Sequence, residues 1–198
     1  TRRQIGGLAS LAPGKELPID ISIPIKSGQT VDLTKFTTNV ITAAVEVKYE
    51  SERAQKLLSS NQINMTVNSD LALEVRDKIT GDSQDREEHN LDWIITNSFH
   101  ELKDIELSAD IYGDVIWNSD AFNIPAGEAK FDADKKILVW KIPSMPTSID
   151  VLALKFSVTL NQKNPSQTNL TSKVKIKAFD AATGQDIIIA GDEVILSQ

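Results

Sequence analysis

Leu152, Leu154, Phe156, Val158 and Leu160 alternate without a break with Ala153, Lys155, Ser157 and Thr159. A helix would scatter those five apolar side chains around its circumference, whereas a strand puts all of them on one face. The same period of two recurs along the chain. It runs through Leu17, Ile19, Ile21, Ile23 and Ile25, and returns at Val45 and Val47, at Leu71, Leu73 and Val75, and at Leu91, Trp93 and Ile95. It continues through Ile105, Leu107, Ala109 and Ile111, Leu138 and Trp140, and Val174 and Ile176. Turn signals separate many of these runs, among them Thr80-Gly81-Asp82, Tyr112-Gly113-Asp114 and Thr183-Gly184. Short alternating strands at this spacing predict an all-β protein, an antiparallel β-sandwich. Glu50–Ser60 is rich in helix formers. A repeat described below pairs it with a strand-like segment, so we read it as a polar loop followed by a short strand.

The composition narrows the function. Of 198 residues, 40% are apolar and 25% charged, which suits a folded chain that buries a core. The balance of 21 Lys+Arg against 28 Asp+Glu gives a net charge of −7, the wrong sign for a broad nucleic-acid surface. There is no Cys, which removes disulfides, thiol catalysis and thiolate-bound metals. Only His89 and His100 are present, leaving little for general-base chemistry. No apolar run approaches the roughly 20 residues of a membrane helix, so no direct membrane insertion is expected of this segment. The chain opens on Thr1-Arg2-Arg3-Gln4 and is read as a piece of a longer protein.

The chain also resembles itself. Ile5-Gly6-Gly7-Leu8, Pro13-Gly14 and the strand Ile19 to Ile25 parallel Ile142-Pro143-Ser144-Met145, Pro146-Thr147 and Leu154 to Leu160. Val45-Glu46-Val47-Lys48 parallels Val174-Lys175-Ile176-Lys177. Gln55-Lys56-Leu57-Leu58 and Ile63-Asn64-Met65 parallel Gln185-Asp186-Ile187-Ile188 and Val194-Ile195-Leu196. On this reading residues 1–68 are the C-terminal half of a first module, and residues 69–198 are a complete one in tandem with it. A half-sandwich leaves an uncovered apolar face. Its missing strands lie outside the sequence, or another chain supplies them, or both halves merge into one sandwich.

Several of these stretches carry a family resemblance. Leu91-Asp92-Trp93-Ile94-Ile95-Thr96-Asn97-Ser98 and Leu102 through Ala109 form a strand ending in Thr-Asn followed by a second strand. Gly127 through Ala133 and Ile137 through Ile142 form an aromatic-bearing hairpin, and Ala153 through Leu160 an apolar strand. Leu11-Ala12-Pro13-Gly14 supplies a Pro-Gly turn, whose later counterpart Pro143-Ser144-Met145-Pro146 lacks the glycine. Together they resemble the repeated Ig-like domains of bacterial cell-surface proteins, a family of unknown function. The resemblance implies tandem domains of secreted, envelope-anchored proteins that serve as stalks, spacers or adhesive surfaces. It implies no shared binding site.

Candidate sites are few. The acidic loop Asp77–Glu88 invites calcium, which takes about six to eight oxygen ligands. Asp77, Asp82, Asp85 and Glu87 are the candidate ligands, set against a solvated loop that also contains Lys78 and Arg86. Asp180, Asp186 and Asp192 form a second acidic set. Asp132-Ala133-Asp134-Lys135-Lys136 reads as a hairpin turn. Trp93 and Trp140 sit in alternating strands and are assigned to the core. Trp117 lies in a turn-rich stretch and is the candidate ligand-facing aromatic. His89 follows two glutamates and is expected at the surface. His100 lies near Ser98 and Glu101, but no nucleophile elbow accompanies it. Asn64-Met65-Thr66 and Asn169-Leu170-Thr171 match the short glycosylation pattern, which arises often by chance.

The sequence therefore predicts a non-enzymatic structural or adhesive segment of an extracellular cell-surface protein, acting as stalk, spacer or assembly module. Its expected partners are other copies or neighbouring modules of the same protein, with no nucleic acid and no required cofactor. Two alternatives stand beside it: a calcium- or glycan-binding β-sandwich module, and a strand-exchanging filament or surface-layer subunit.

Overall fold

The computed structural model describes residues 12, 14–22, 38–51, 54–83, 86–162, 164 and 166–196. The chain divides into two units, Thr1–Val31 and Asp32–Gln198. In the first unit, residues 15–22 take part in no β-ladder and are exposed. The strand expected from Leu17 onward is thus not formed over those residues, and Ile23 and Ile25 lie outside the described ones.

The second unit is all-β among its described residues. It starts with a hairpin in two ladders. β1 (Val40–Ala43) pairs with β4 (Ile63–Thr66), and β2 (Glu46–Ser51) pairs with β3 (Ala54–Ser59) inside them. The strand expected within Glu50–Ser60 is β3. The reason is its register: Leu58 lies across from Val47 and Lys56 from Tyr49, and such cross-strand pairs outweigh helix propensity.

Nine further strands build the sandwich. They are β5 (Ala72–Asp82), β6 (Glu87–Thr96), β7 (Leu102–Asp110), β8 (Asp114–Asn123), β9 (Glu128–Asp132), β10 (Ile137–Met145), β11 (Val151–Gln162), β12 (Lys175–Asp180) and β13 (Gln185–Ala190). One sheet has the order β5-β6-β11-β8 and the other β13-β12-β7-β10-β9, and every ladder is antiparallel. This is the antiparallel sandwich expected from the alternation, of the Ig-like class that the resemblance implies.

Inward-facing rows of the two sheets form one core. Leu91, Trp93, Ile95, Leu154 and Val158 of one sheet and Leu107, Leu138, Trp140 and Ile176 of the other are all fully buried. Burial of an apolar side chain is worth roughly 1.5–3 kcal/mol, so these rows supply most of the driving force. Trp93 meets Phe156 edge-on at 5.5 Å, and Trp140 Nε1 donates to the Ala126 carbonyl at 2.8 Å. The core assignment of both tryptophans holds.

Two turns bear on the sequence reading. Asp132 Oδ1 accepts from the backbone N–H groups of Asp134 and Lys135 at 3.1 and 3.0 Å, closing the β9–β10 hairpin as expected. The turn expected at Pro143–Pro146 lies further on. Pro143 to Met145 remain in β10, paired with β7, and the chain reverses at Pro146–Ile149, where Ile149 N–H donates to the Pro146 carbonyl.

Candidate functional site

Two buried polar clusters stand at opposite poles of the sandwich. The first lies at the pole where Thr96, Leu102 and Asp180 end or begin their strands. Asp180, at 0% exposure, gathers four donors. Its Oδ2 accepts from His100 Nδ1 at 2.9 Å and from the Ser69 backbone N–H at 2.8 Å. Its Oδ1 accepts from the backbone N–H groups of Ala182 and Thr183 at 2.9 and 3.1 Å. Burial pushes the Asp180 carboxyl up, but the bonds from His100, Thr183, Ser69 and Ala182 outweigh it, and its pKa lies below the ordinary 3.8.

Neighbouring groups complete the knot. The Ser69 hydroxyl donates to Asn97 Oδ1, and Asn97 Nδ2 donates to the His100 carbonyl at 2.7 Å. Asp70 accepts from the Ser98 hydroxyl at 2.6 Å and from the backbone N–H groups of Ser98 and Phe99 at 2.8 and 3.0 Å. Burial opposes the Asp70 charge, and these bonds again win, holding its pKa below 3.8. A His–Asp pair and two serines thus lie close together. Both hydroxyls are engaged by Asn97 and Asp70, so the geometry is that of a brace and presents no nucleophile to His100. It fastens residues 69–70 to the β6–β7 connection and to the β12–β13 turn.

The second cluster sits at the other pole. His89 is expected at the surface on sequence grounds, and here the structure corrects the reading: it is fully buried, as is Glu87. The cause is the pleat. Glu87 and His89 continue the inward row of Leu91, Trp93 and Ile95 on β6. His89 Nδ1 faces both Asp77 oxygens at 3.0 and 2.9 Å, and Nε2 faces Glu87 Oε2 at 3.2 Å. Burial opposes a charged imidazole, yet Asp77 and then Glu87 outweigh it and raise the His89 pKa above 6.5.

This places the calcium candidates. Asp77 and Glu87 do converge, but on the two ring nitrogens of His89, which stands between them. Asp82 lies across from Glu87 in the β5–β6 ladder, and Asp85 lies outside the described residues. Among the described residues no group of three or more His, Asp or Glu is arranged to hold a metal ion. The second acidic set is dispersed. Asp180 sits in the buried brace, while Asp186 pairs with Lys177 at 2.8 Å on the outer face of the five-stranded sheet.

Trp117 lies on β8 and is half-buried. Its ring stacks near-parallel on Phe131 at 4.7 Å and on Phe156 at 5.3 Å, and meets Phe122 edge-on at 5.3 Å. It belongs to an aromatic cluster that joins the two sheets at their β8–β9 side.

The surface depressions are shallow. Two, of about 430 and 560 Å³, lie around Asp104 and Glu106; the first is lined chiefly by charged side chains, the second by charged and apolar ones in equal number, and neither by serine, threonine or histidine. The outer faces carry cross-strand charge pairs, Lys141–Glu106 at 3.1 Å and Lys155–Asp92 at 3.6 Å.

No protein-family model and no curated protein matches the chain. Solved structures give distant likenesses. The full-length major pilin SpaD of Corynebacterium diphtheriae is similar over 67% of this chain and 35% of its own, at 12% identity and a TM-score of 0.46. The major pilin subunit BcpA of Bacillus cereus, as its D312A variant, is similar over 76% of this chain and 47% of its own, at 8% identity and a TM-score of 0.42. The collagen-binding domain of a Staphylococcus aureus adhesin is similar over 60% of this chain and 95% of its own, at 13% identity and a TM-score of 0.38. The chain spans about a third of SpaD and about half of BcpA. Likeness of this degree carries no functional argument.

Proposed function

We propose that this chain is a non-enzymatic structural module of an extracellular cell-surface protein, a spacer that holds its shape under tension. One observation carries the reading: the chain enters and leaves the sandwich at opposite poles. Residues 69–70 are tied to Asp180 and Ser98 at one pole. Residues 194–196 are tied in at the other, through Leu170 N–H to the Val194 carbonyl at 2.8 Å and Leu196 N–H to the Thr168 carbonyl at 2.9 Å. A pull between those points runs along the strands. It loads the long β5–β6 ladder in shear, so its hydrogen bonds resist together and do not open one by one. The brace at Asp180 takes up that load where the chain enters. The partners consistent with this role are neighbouring modules or other copies of the same protein.

Stretching the full chain by its two ends in a single-molecule instrument tests the reading. The expected result is one all-or-none rupture of the sandwich that releases about 400 Å of chain, given roughly 3.6 Å per extended residue. A smooth yield without a rupture would refute it.

A further inference from the structure

The hairpin of β1 to β4 meets a pull along the chain in the opposite geometry to the sandwich. The chain enters it at Asn39 and leaves it at Val67, and these two are neighbours: the Val67 N–H donates to the Asn39 carbonyl at 2.7 Å. From that bond the ribbon continues through β1–β4 and, past the Ser60 N–H on the Val45 carbonyl at 2.8 Å, through β2–β3 as far as the pair Ser51–Ala54. Entry and exit thus sit side by side at the open end of one antiparallel ribbon.

A single residue joins the ribbon to the sandwich. Ser69 already belongs to the sandwich: its backbone N–H donates to Asp180 Oδ2 at 2.8 Å and its hydroxyl to Asn97 Oδ1. Only Asn68 lies between Ser69 and the Val67–Asn39 bond that closes the hairpin. Among the described residues, the hydrogen bonds of residues 38–67 stay within the hairpin, and none of its side chains joins the buried core. Ile41, Ile63 and Met65 share one face of the ribbon and are 36, 64 and 38% exposed. Little packing therefore backs its ladders.

The direction of load follows from the position of the ends. In the sandwich the pull acts along β5 and β6, and the pairs of that ladder bear it together. In the hairpin it draws Asn39 and Val67 apart across the ladder, so it falls on one pair at a time, first Val40–Thr66 and then inward. Each opened pair frees two residues and lengthens the chain by about 7 Å. Force multiplied by distance must match the free energy of the pair, so a ladder that opens over a long path yields at low force. It also closes fast. A hairpin re-forms in about 1–10 μs. The sandwich has to rebuild pairings between residues up to 111 positions apart, which is slow.

We propose that the hairpin is an extensible link in series with the sandwich, which lets out chain at low tension and takes it back when tension falls. From Asn39 to Val67 there are 67 − 39 = 28 residue steps, or about 100 Å at roughly 3.6 Å per step. On the spacer reading, on which this rests, such a link limits the peak force that reaches the brace at Asp180.

Force–extension cycles on the full chain, held by its two ends, test it. The expected result is a reversible lengthening of about 100 Å at a force several-fold below the sandwich rupture. The chain contains no Cys, so one engineered disulfide has no competitor. Thr42 and Asn64 are exposed and directly opposite, with the Thr42 hydroxyl donating to Asn64 Oδ1 at 2.9 Å. Counted from the bonded pair Asn39–Val67 they form a non-hydrogen-bonded pair, whose Cα atoms stand about 4.5 Å apart, within disulfide reach. In Thr42→Cys with Asn64→Cys, oxidation leaves free only the steps from 39 to 42 and from 64 to 67, so the lengthening falls to about 20 Å. Reduction restores about 100 Å. Comparing the two forms of one variant separates the hairpin from lengthening anywhere else in the chain, and the sandwich rupture keeps its force and length in both. A chain that ruptures with no reversible lengthening beforehand, or an oxidised variant that still lengthens by about 100 Å, overturns the proposal. Either result leaves intact the sandwich rupture on which the spacer reading is judged, so the two failures are told apart.

Discussion

An imidazole held between two carboxylates at the end of a hydrophobic core contributes to how this protein answers pH. His89 has a folded pKa raised above its ordinary 6.5. Its contribution to stability is therefore fully present below about 6.5 and is lost as pH rises through the higher folded value. Asp70 and Asp180 work in the opposite sense. Their folded pKa values lie below 3.8, so their contribution is present above that value and lost as pH falls through the lower folded ones. Urea midpoints across pH should accordingly be highest between about 4 and 6.5 as far as these three groups are concerned. His89→Gln should flatten the decline on the alkaline side. An unchanged decline in that variant would assign it to other groups. Asp180→Ala should cost about 3–5 kcal/mol, since it strands His100 and three backbone N–H groups in a buried site. Equilibrium urea unfolding measures this directly. The alternation on β6 already marked Glu87 and His89 as inward, because both share the parity of Leu91 and Trp93. Their charge suggested a solvated loop. Asp180 likewise shares the parity of Val174, Ile176 and Ala178, but its partners lie 80 and 111 positions away, so what it meets is not written locally.

At the scale of elements, the strands that carry unbroken apolar alternation are the ones legible in the sequence. β6, β11 and β12 fall where their periodicity places them. β8 does not announce itself: Asp114, Asn118, Ser119, Asp120 and Asn123 dilute Val115, Ile116, Trp117 and Phe122. It is a strand because β11 offers it an edge, and the ladder skips between Lys155 and Ser157 to accommodate it. Leu17–Ile21 shows the converse, perfect alternation with no ladder, because a strand exists only when something pairs with it. The turn between β8 and β9 supplies a sharp test. Gly127 has φ of 72°, and a Cβ there would lie 2.0 Å from the Lys141 carbonyl oxygen. Gly127→Ala should therefore lower stability by about 3 kcal/mol or more, read as a drop in melting temperature. Trp140→Phe, which gives up the bond to the Ala126 carbonyl, should cost only about 1 kcal/mol from that bond, with any packing loss added.

For the molecule as a whole, burial is uneven, and stability should follow it. The core residues all lie between Leu71 and Leu196, whereas β3 and β4 are exposed throughout and β1 and β2 largely so. Limited proteolysis at low protein concentration should cut before residue 67 first and leave a resistant fragment that starts near Ser69. Cleavage within β5–β13 at a comparable rate would refute this division. By itself the sequence determined the class of fold, the inward rows and the absence of thiol chemistry, since these follow from period, composition and local turns. Tertiary structure alone decided which polar groups meet. Asp77, Glu87 and His89, or Ser69, Asn97, His100 and Asp180, are brought together only when two sheets close, because a pleat fixes the face of a side chain but not its neighbour across the sheet. Tertiary structure also decided that the face from Ile41 to Met65 stays open. An apolar face is written in one strand pair, while its cover has to come from another.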